Sequence, residues 1–196
     1  MSGVKAMIDA LNVIYEQREG RSLVKLNLVA LAFTLSGFSV LLLAIAAVIV
    51  LPLILSSVGL GGLTETLTRI VRWPVLLLVL LFGLALLYRY GPDRRAARWQ
   101  WVSVGSVFAA VTWIVASYLF SWYLASFANY NATYGSLGAV IGLMMWLWIS
   151  TIVVLLGAEL TAEIEHQTAR DSTIGAEKPL GARGAVMADT VGAKQT

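Results

Sequence analysis

From Trp99 to Ala158 the chain carries no formally charged side chain, and this run constrains the fold more than any other feature. Drawn as one helix it would reach about 90 Å at about 1.5 Å per residue, against a bilayer hydrocarbon core about 30 Å thick. It must fold back, and its one polar break is Asn129-Tyr130-Asn131-Ala132-Thr133-Tyr134-Gly135. That turn separates a span at 101–127 from a span at 136–158. A second uncharged run follows Lys25 and lasts to Glu65. It is most apolar over 26–51 and is closed by Pro52, which cannot continue a helix without losing a backbone hydrogen bond. Gly59, Gly61 and Gly62 then mark a loop, and Leu63 to Val71 reads as a short surface helix. The remaining span, 73–90, has Trp73 and Tyr88 as interfacial anchors, with Arg72 and Arg89 snorkelling outward.

Composition agrees: 59% of the residues are hydrophobic and 13% charged, where a soluble domain has about 45–50% and about 25%. The expected fold is all-α, a polytopic transmembrane bundle of about four spans over 26–166, with an amphipathic segment before it and a tail after it. In the segment 1–25, Val4, Met7, Ile8, Leu11, Ile14 and Tyr15 recur at spacings of three and four opposite Lys5, Asp9, Asn12 and Glu16. This helix is too polar to span, so it lies on the membrane surface or packs under the bundle. The tail 167–196, rich in Gly and Ala with scattered charge and no apolar period, reads as disordered.

Basic residues set the expected orientation. Lys5, Arg18, Arg21 and Lys25 flank the first span, and Arg89, Arg94, Arg95 and Arg98 flank the second and third, against Arg69 and Arg72 on the other side. The positive-inside bias places both termini and the arginine loop in the cytoplasm, in an inner membrane. Clustering beside apolar runs, with a net charge of only +3, makes this an orientation signal and not a nucleic-acid footprint. The first twenty residues hold Asp9, Glu16 and Glu19 and no short apolar core, so no removable signal peptide is expected. Cysteine is absent, which excludes disulfides, thiolate catalysis and thiolate-bound metals.

Helices in lipid associate through close backbone approach, so stripes of small residues are informative. They run through Asn27, Ala30, Thr34, Gly37 and Ala44 on the first span, and Ser103, Ser106, Ala110, Trp113, Ser117 and Ser121 on the third. On the fourth they run through Gly135, Ala139, Gly142, Trp146, Ser150 and Gly157, with Gly138 and Gly142 a further small pair. Packing is the plain reading; a polar-lined permeation or lipid-binding groove between spans one, three and four is the other. The ionisable candidate is Glu159, which shares a stripe with Glu163 and His166. Arg94, Arg95 and Arg98 are its candidate partners in a structural ion pair, and a relay or gate is the sharper alternative. Glu163 and His166 also form half of a di-metal carboxylate motif, but the chain has no second histidine. No glycine-flanked nucleophile or phosphate-cradling loop accompanies them, so neither an enzyme nor a cofactor is expected.

Four segments together resemble the YihY/virulence factor BrkB family: Tyr88-Arg89-Tyr90-Gly91-Pro92, Asn129 to Leu137, Trp146-Leu147-Trp148 and Leu156-Gly157-Ala158-Glu159-Leu160. Ile8-Asp9-Ala10-Leu11-Asn12 and Glu19-Gly20-Arg21-Ser22 fit as well, so the resemblance runs from near Met1 to about His166. It implies a bacterial inner-membrane protein of about six helices, linked in some members to virulence or envelope resistance, with no established catalytic activity. An old ribonuclease label belongs to the family, and the acidic or histidine cluster of a metal nuclease is not in this sequence. The resemblance also implies two further helices ahead of Met1, making this chain the C-terminal two-thirds. Its expected partners are then membrane lipids and either those helices or a second copy. The expected role is a transporter or permeability component for a small solute, ion or envelope lipid, or alternatively a membrane scaffold.

Overall fold

The computed structural model describes residues 2–46, 49, 62–126 and 136–192, without the side chains of 62–69, 71–72 and 136. The expectations for Pro52, the loop glycines Gly59 and Gly61, and the turn with Asn129, Tyr134 and Gly135 lie outside these residues. Among the described residues the regular structure is helical: α1 (Ser2–Ile14), α2 (Leu23–Ile45), α3 (Gly62–Tyr90), α4 (Trp99–Ser126), α5 (Ser136–His166) and α6 (Val186–Asp189). Four stretches are long and apolar enough to cross a membrane: Leu23–Ile45, Trp73–Tyr90, Trp99–Ser126 and Leu137–His166.

α1 packs under the bundle, with Ile8, Leu11 and Tyr15 fully buried. It ends where Glu16 takes a φ of 51°. The Glu16 N–H then bonds the Val13 carbonyl, and the Gln17 N–H reaches back to the Asn12 carbonyl, a left-handed cap that glycine usually supplies. Ser22 starts α2 by accepting from the Lys25 N–H at 3.4 Å. The surface helix expected at Leu63 to Val71 is continuous with the span that follows, through Pro74. Proline forfeits one hydrogen bond there, which a membrane helix tolerates where neighbouring groups resatisfy the freed carbonyl.

The centre of the molecule is the α3, α4 and α5 packing. A side chain at Gly157 of α5 would run into the Tyr88 hydroxyl at 2.5 Å and Ala109 Cβ at 2.6 Å, and one at Gly105 of α4 would collide with Thr161 and the Gly157 carbonyl. These two glycines let the helix backbones approach closely. Further along, the small and aromatic stripes of α4 and α5 face each other. Trp113 donates to Ser150 Oγ at 2.9 Å, Trp146 donates to Ser117 Oγ at 3.4 Å, and the two indoles meet edge to face at 5.6 Å. Gly142 is buried beside Leu124, 3.8 Å from where its own Cβ would stand, and Gly138 is half-buried. α2 stands apart: only Ala30 is buried, and Gly37 meets nothing.

The tail corrects the sequence expectation of disorder for the described part of 167–196. Residues 171–173 are buried and run beside the arginine loop, with an isolated antiparallel bridge between Ala97 and Thr173. Met187 and Ala188 of α6 are buried too. Backbone and side-chain hydrogen bonds organise this segment, and hydrophobic periodicity does not register them.

Candidate functional site, the polar cap and its cavity

Three chain segments far apart in sequence converge at one end of the bundle. Asn12, on α1, accepts the Asp93 N–H at 2.7 Å and donates to Glu19 at 2.9 Å. Glu19 takes three donors from Arg21: its N–H at 3.0 Å, Nε at 2.7 Å and Nη2 at 2.6 Å. Arg21 Nη2 also reaches the Gly91 carbonyl at 3.0 Å, and the Gly20 N–H donates to Asp93 at 2.8 Å. The α1 to α2 connection is thereby laced to the loop that joins α3 and α4. Hydrogen bonds from Arg21 pull the Glu19 carboxyl down to about 2 against a smaller desolvation penalty, and Glu19 in turn raises Arg21.

Beneath this lacing lies a buried ion pair. Arg94 Nη1 meets Glu165 Oε2 at 2.5 Å, with both side chains wholly excluded from solvent. Ser172 donates to the other oxygen of Glu165. The Arg94 guanidinium rests 4.1 Å from the Tyr15 ring centroid. Burial pushes the Tyr15 phenol up to about 12, Arg94 opposing it.

The tail closes over the same loop. Arg98 donates its N–H to the Ser172 carbonyl at 2.8 Å and its Nε to the Thr173 carbonyl at 2.9 Å, and the Arg95 N–H bonds the Gly184 carbonyl at 3.0 Å. Asp171 accepts from the Thr173 N–H and hydroxyl and from the Lys178 N–H. Buried Arg183 spans the carbonyls of Ala169, Lys178 and Ala188, while Asp189 caps the N–H groups of Arg183 and Gly184. Burial works to raise the two aspartates, and these donors outweigh it, so both lie below the usual carboxylate range.

The arginines singled out in the sequence are therefore gathered at one place, but the carboxylate among them is Glu165. Glu159 is exposed and makes no ion pair among the described residues; Arg94 is claimed by Glu165, and the Arg98 side chain is claimed by the tail. The physical reason is that α5 continues to His166, past the expected boundary at 158. The first acid after the apolar run is then not the one turned inward. Tyr88 and Arg89 also differ from their expected roles. Tyr88 is buried and donates to the Val154 carbonyl at 2.7 Å. Arg89 is 8% exposed, with its guanidinium 4.3 Å from the Trp99 ring centroid instead of out in water. Among the described residues no group of three or more histidines or carboxylates is placed to hold a metal ion.

Between α2 and the end of α3, beside the cap, is a cavity of about 450 Å³. Its lining includes the charged Arg21, Lys25, Arg89, Asp93 and Arg94 and the apolar Val29, Phe33 and Leu86. Neither Arg89 nor this cavity was prominent in the sequence, where the arginine reads as one more loop charge.

Four bilayer-length helices closed at one end by a polar cap define a multi-pass helical membrane protein. The chain belongs to the Virulence factor BrkB family, whose model matches residues 1–180. It is 35% identical over 165 residues to the ribonuclease-like protein YfkH of Bacillus subtilis, covering 82% of this chain and 60% of that protein. It is 42% identical over 127 residues to a UPF0761 membrane protein of Tolumonas auensis, covering 64% of this chain and 38% of that one. A UPF0761 membrane protein of Glaesserella parasuis is 29% identical over 164 residues, covering 83% and 56%. The chain thus spans about 60% or less of the length of these curated relatives. No solved structure matches it.

Proposed function

We propose that this chain is a transport or permeability component of a bacterial inner membrane, acting on a small solute, an ion or an envelope lipid without catalytic chemistry of its own. The observation that carries this reading is the stance of α2. It leaves the close-packed α3, α4 and α5 and opens a charged cavity against α3 at the capped end. A helix that buries one residue can move at low cost, and ionisable groups at membrane depth mark substrate paths more often than they support packing. The positive-inside bias puts the cap in the cytoplasm. Lipids, and either further helices such as those of longer relatives or a second copy, would cover the bare face of α2; nucleic acid has no part in the reading.

The name of YfkH brings a ribonuclease reading with it, which the buried cap does not favour, since its acids are committed to arginines and backbone donors. The second reading with an observation behind it is a scaffold for the envelope, supported by the Gly105 and Gly157 crossing and the Trp113 and Trp146 contact, which leave α4 and α5 tightly joined. A cysteine pair, Val29→Cys with Leu86→Cys, separates the two in a chain that has no other cysteine. Proteoliposomes loaded with a pH-sensitive dye, or carrying fluorescent phosphatidylglycerol reducible from outside, should show faster dye response or lipid exchange with the thiols reduced. Oxidising the pair should stop it. Rates equal to protein-free vesicles in both assays would favour the scaffold.

A further inference from the structure

The cavity beside Arg89 has a charge that no carboxylate among the described residues pairs with. Arg21 is held by Glu19 and Asp93, and Arg94 by Glu165. Among the described residues the Arg89 side chain has no ion pair and no hydrogen bond: its Nε and Nη1 are buried without acceptors, and its guanidinium meets the ring faces of Trp99 and Tyr90, at 4.3 and 5.2 Å. Lys25, exposed on the first turn of α2, adds a further cation with no carboxylate partner among the described residues. A guanidinium that is nine-tenths buried is stable when its remaining donors find an anion, and the fork of an arginine suits a phosphate oxygen pair.

We propose that this cavity binds the phosphate of an anionic membrane lipid, held by Arg89 and Lys25. The lipid as the source of that phosphate follows from the apolar part of the lining. Val29 and Phe33 continue onto the side of α2 that is otherwise bare, so acyl chains can run along the helix while the headgroup sits at its end. Free phosphate would leave this apolar wall unused. Basic pockets between helices near a membrane face are suited to anionic headgroups in this way. The site holds whether the chain transports or only scaffolds, because occupancy is measured without any flux.

The test is native mass spectrometry of the full chain in dodecylmaltoside, equilibrated with equal amounts of phosphatidylglycerol and phosphatidylcholine. Retention of one phosphatidylglycerol about tenfold above phosphatidylcholine is expected. Arg89→Gln should remove that preference, Arg89→Lys should restore part of it, and Arg170→Gln, an exposed charge elsewhere on the tail, should leave it intact. Should Arg89→Gln not fold, Lys25→Gln supplies a weaker loss in the same direction. Equal retention of the two lipids, or an undiminished preference in Arg89→Gln, overturns the proposal. Displacement of the lipid by millimolar inorganic phosphate, with phosphate remaining bound, overturns its lipid part.

Discussion

Arg94 and Glu165, 71 residues apart in the chain, meet at 2.5 Å with neither side chain reaching solvent. The pair joins the loop between α3 and α4 to the last turn of α5, and Ser172 and Tyr15 bring the tail and α1 to the same point. Removing one member of such a pair strands a buried charge, whereas removing both does not. Glu165→Gln or Arg94→Met should each cost about 3–5 kcal/mol, and the double variant should cost less than their sum. Glu159→Gln, at an exposed position, should change stability by less than about 0.5 kcal/mol. Thermal unfolding in detergent measures all four, and equal losses from Glu159→Gln and Glu165→Gln would contradict this assignment.

Close approach at the centre of the bundle makes a graded prediction for glycine. Gly157→Ala places a methyl against Tyr88, Ala109 and the Gly105 carbonyl, and Gly105→Ala places one against Thr161 and the Gly157 carbonyl. Backbone cannot yield there as a side chain can, so each should destabilise by about 1–3 kcal/mol or more. Gly142→Ala meets only Leu124 at 3.8 Å, and Gly37→Ala meets nothing. Both should be neutral or slightly stabilising in the same unfolding assay.

What could be read in the sequence follows these contacts. Trp113, Ser117, Trp146 and Ser150 fall on the stripes that periodicity identified, and Trp113 and Ser150 bond across the interface because helical spacing places them there. Glu165 was missed for the same reason. Glu159, Glu163 and His166 share a stripe, and Glu165 is turned about 200° from Glu163, outside any pattern that starts at Glu159. The tail was missed because Asp171, Arg183 and Asp189 fold it through backbone donors and acceptors, which residue type alone does not reveal. Gly105 and Ala109 form a small pair four residues apart, but they lie beside the stripe through Ser106 and Ala110 and so outside the pattern read there.

Acid should loosen the cap in a defined window. Glu19 lies at about 2 when folded, and Asp171 and Asp189 lie below the usual carboxylate range. A carboxyl whose folded value is depressed stabilises the fold fully above its unfolded value, about 4, and ceases to as pH falls through the folded value. A nitroxide on Ala182→Cys should therefore show constant mobility from pH 8 to 5 and increasing mobility below about 4. A transition near neutrality would contradict this.

Orientation can be tested with single cysteines, but not at Arg94, whose side chain has no solvent exposure. Arg170 is exposed on the tail, and Asn131 falls in the sequence between the last two spans, so a cysteine at each serves as a probe. An impermeant thiol reagent added to intact cells should label the second and spare the first. The reverse pattern would invert the proposed topology, and labelling of both would place α4 and α5 differently across the bilayer.

The tail contacts also impose an order of events during synthesis. Arg94 leaves the ribosome before either α4 or α5 exists, while the groups that neutralise and cover its loop, Glu165, Ser172 and Gly184, come last. Until then the arginine loop lacks these partners, and under the proposed topology it is free to orient the hairpin in the membrane. Only when the final residues emerge does the same loop exchange water for Glu165 and the tail. Under the proposed topology one set of cations serves first as an orientation signal and afterwards as the lock of the finished fold, so a ribosome stopping before Glu165 should release a threaded but unlocked protein.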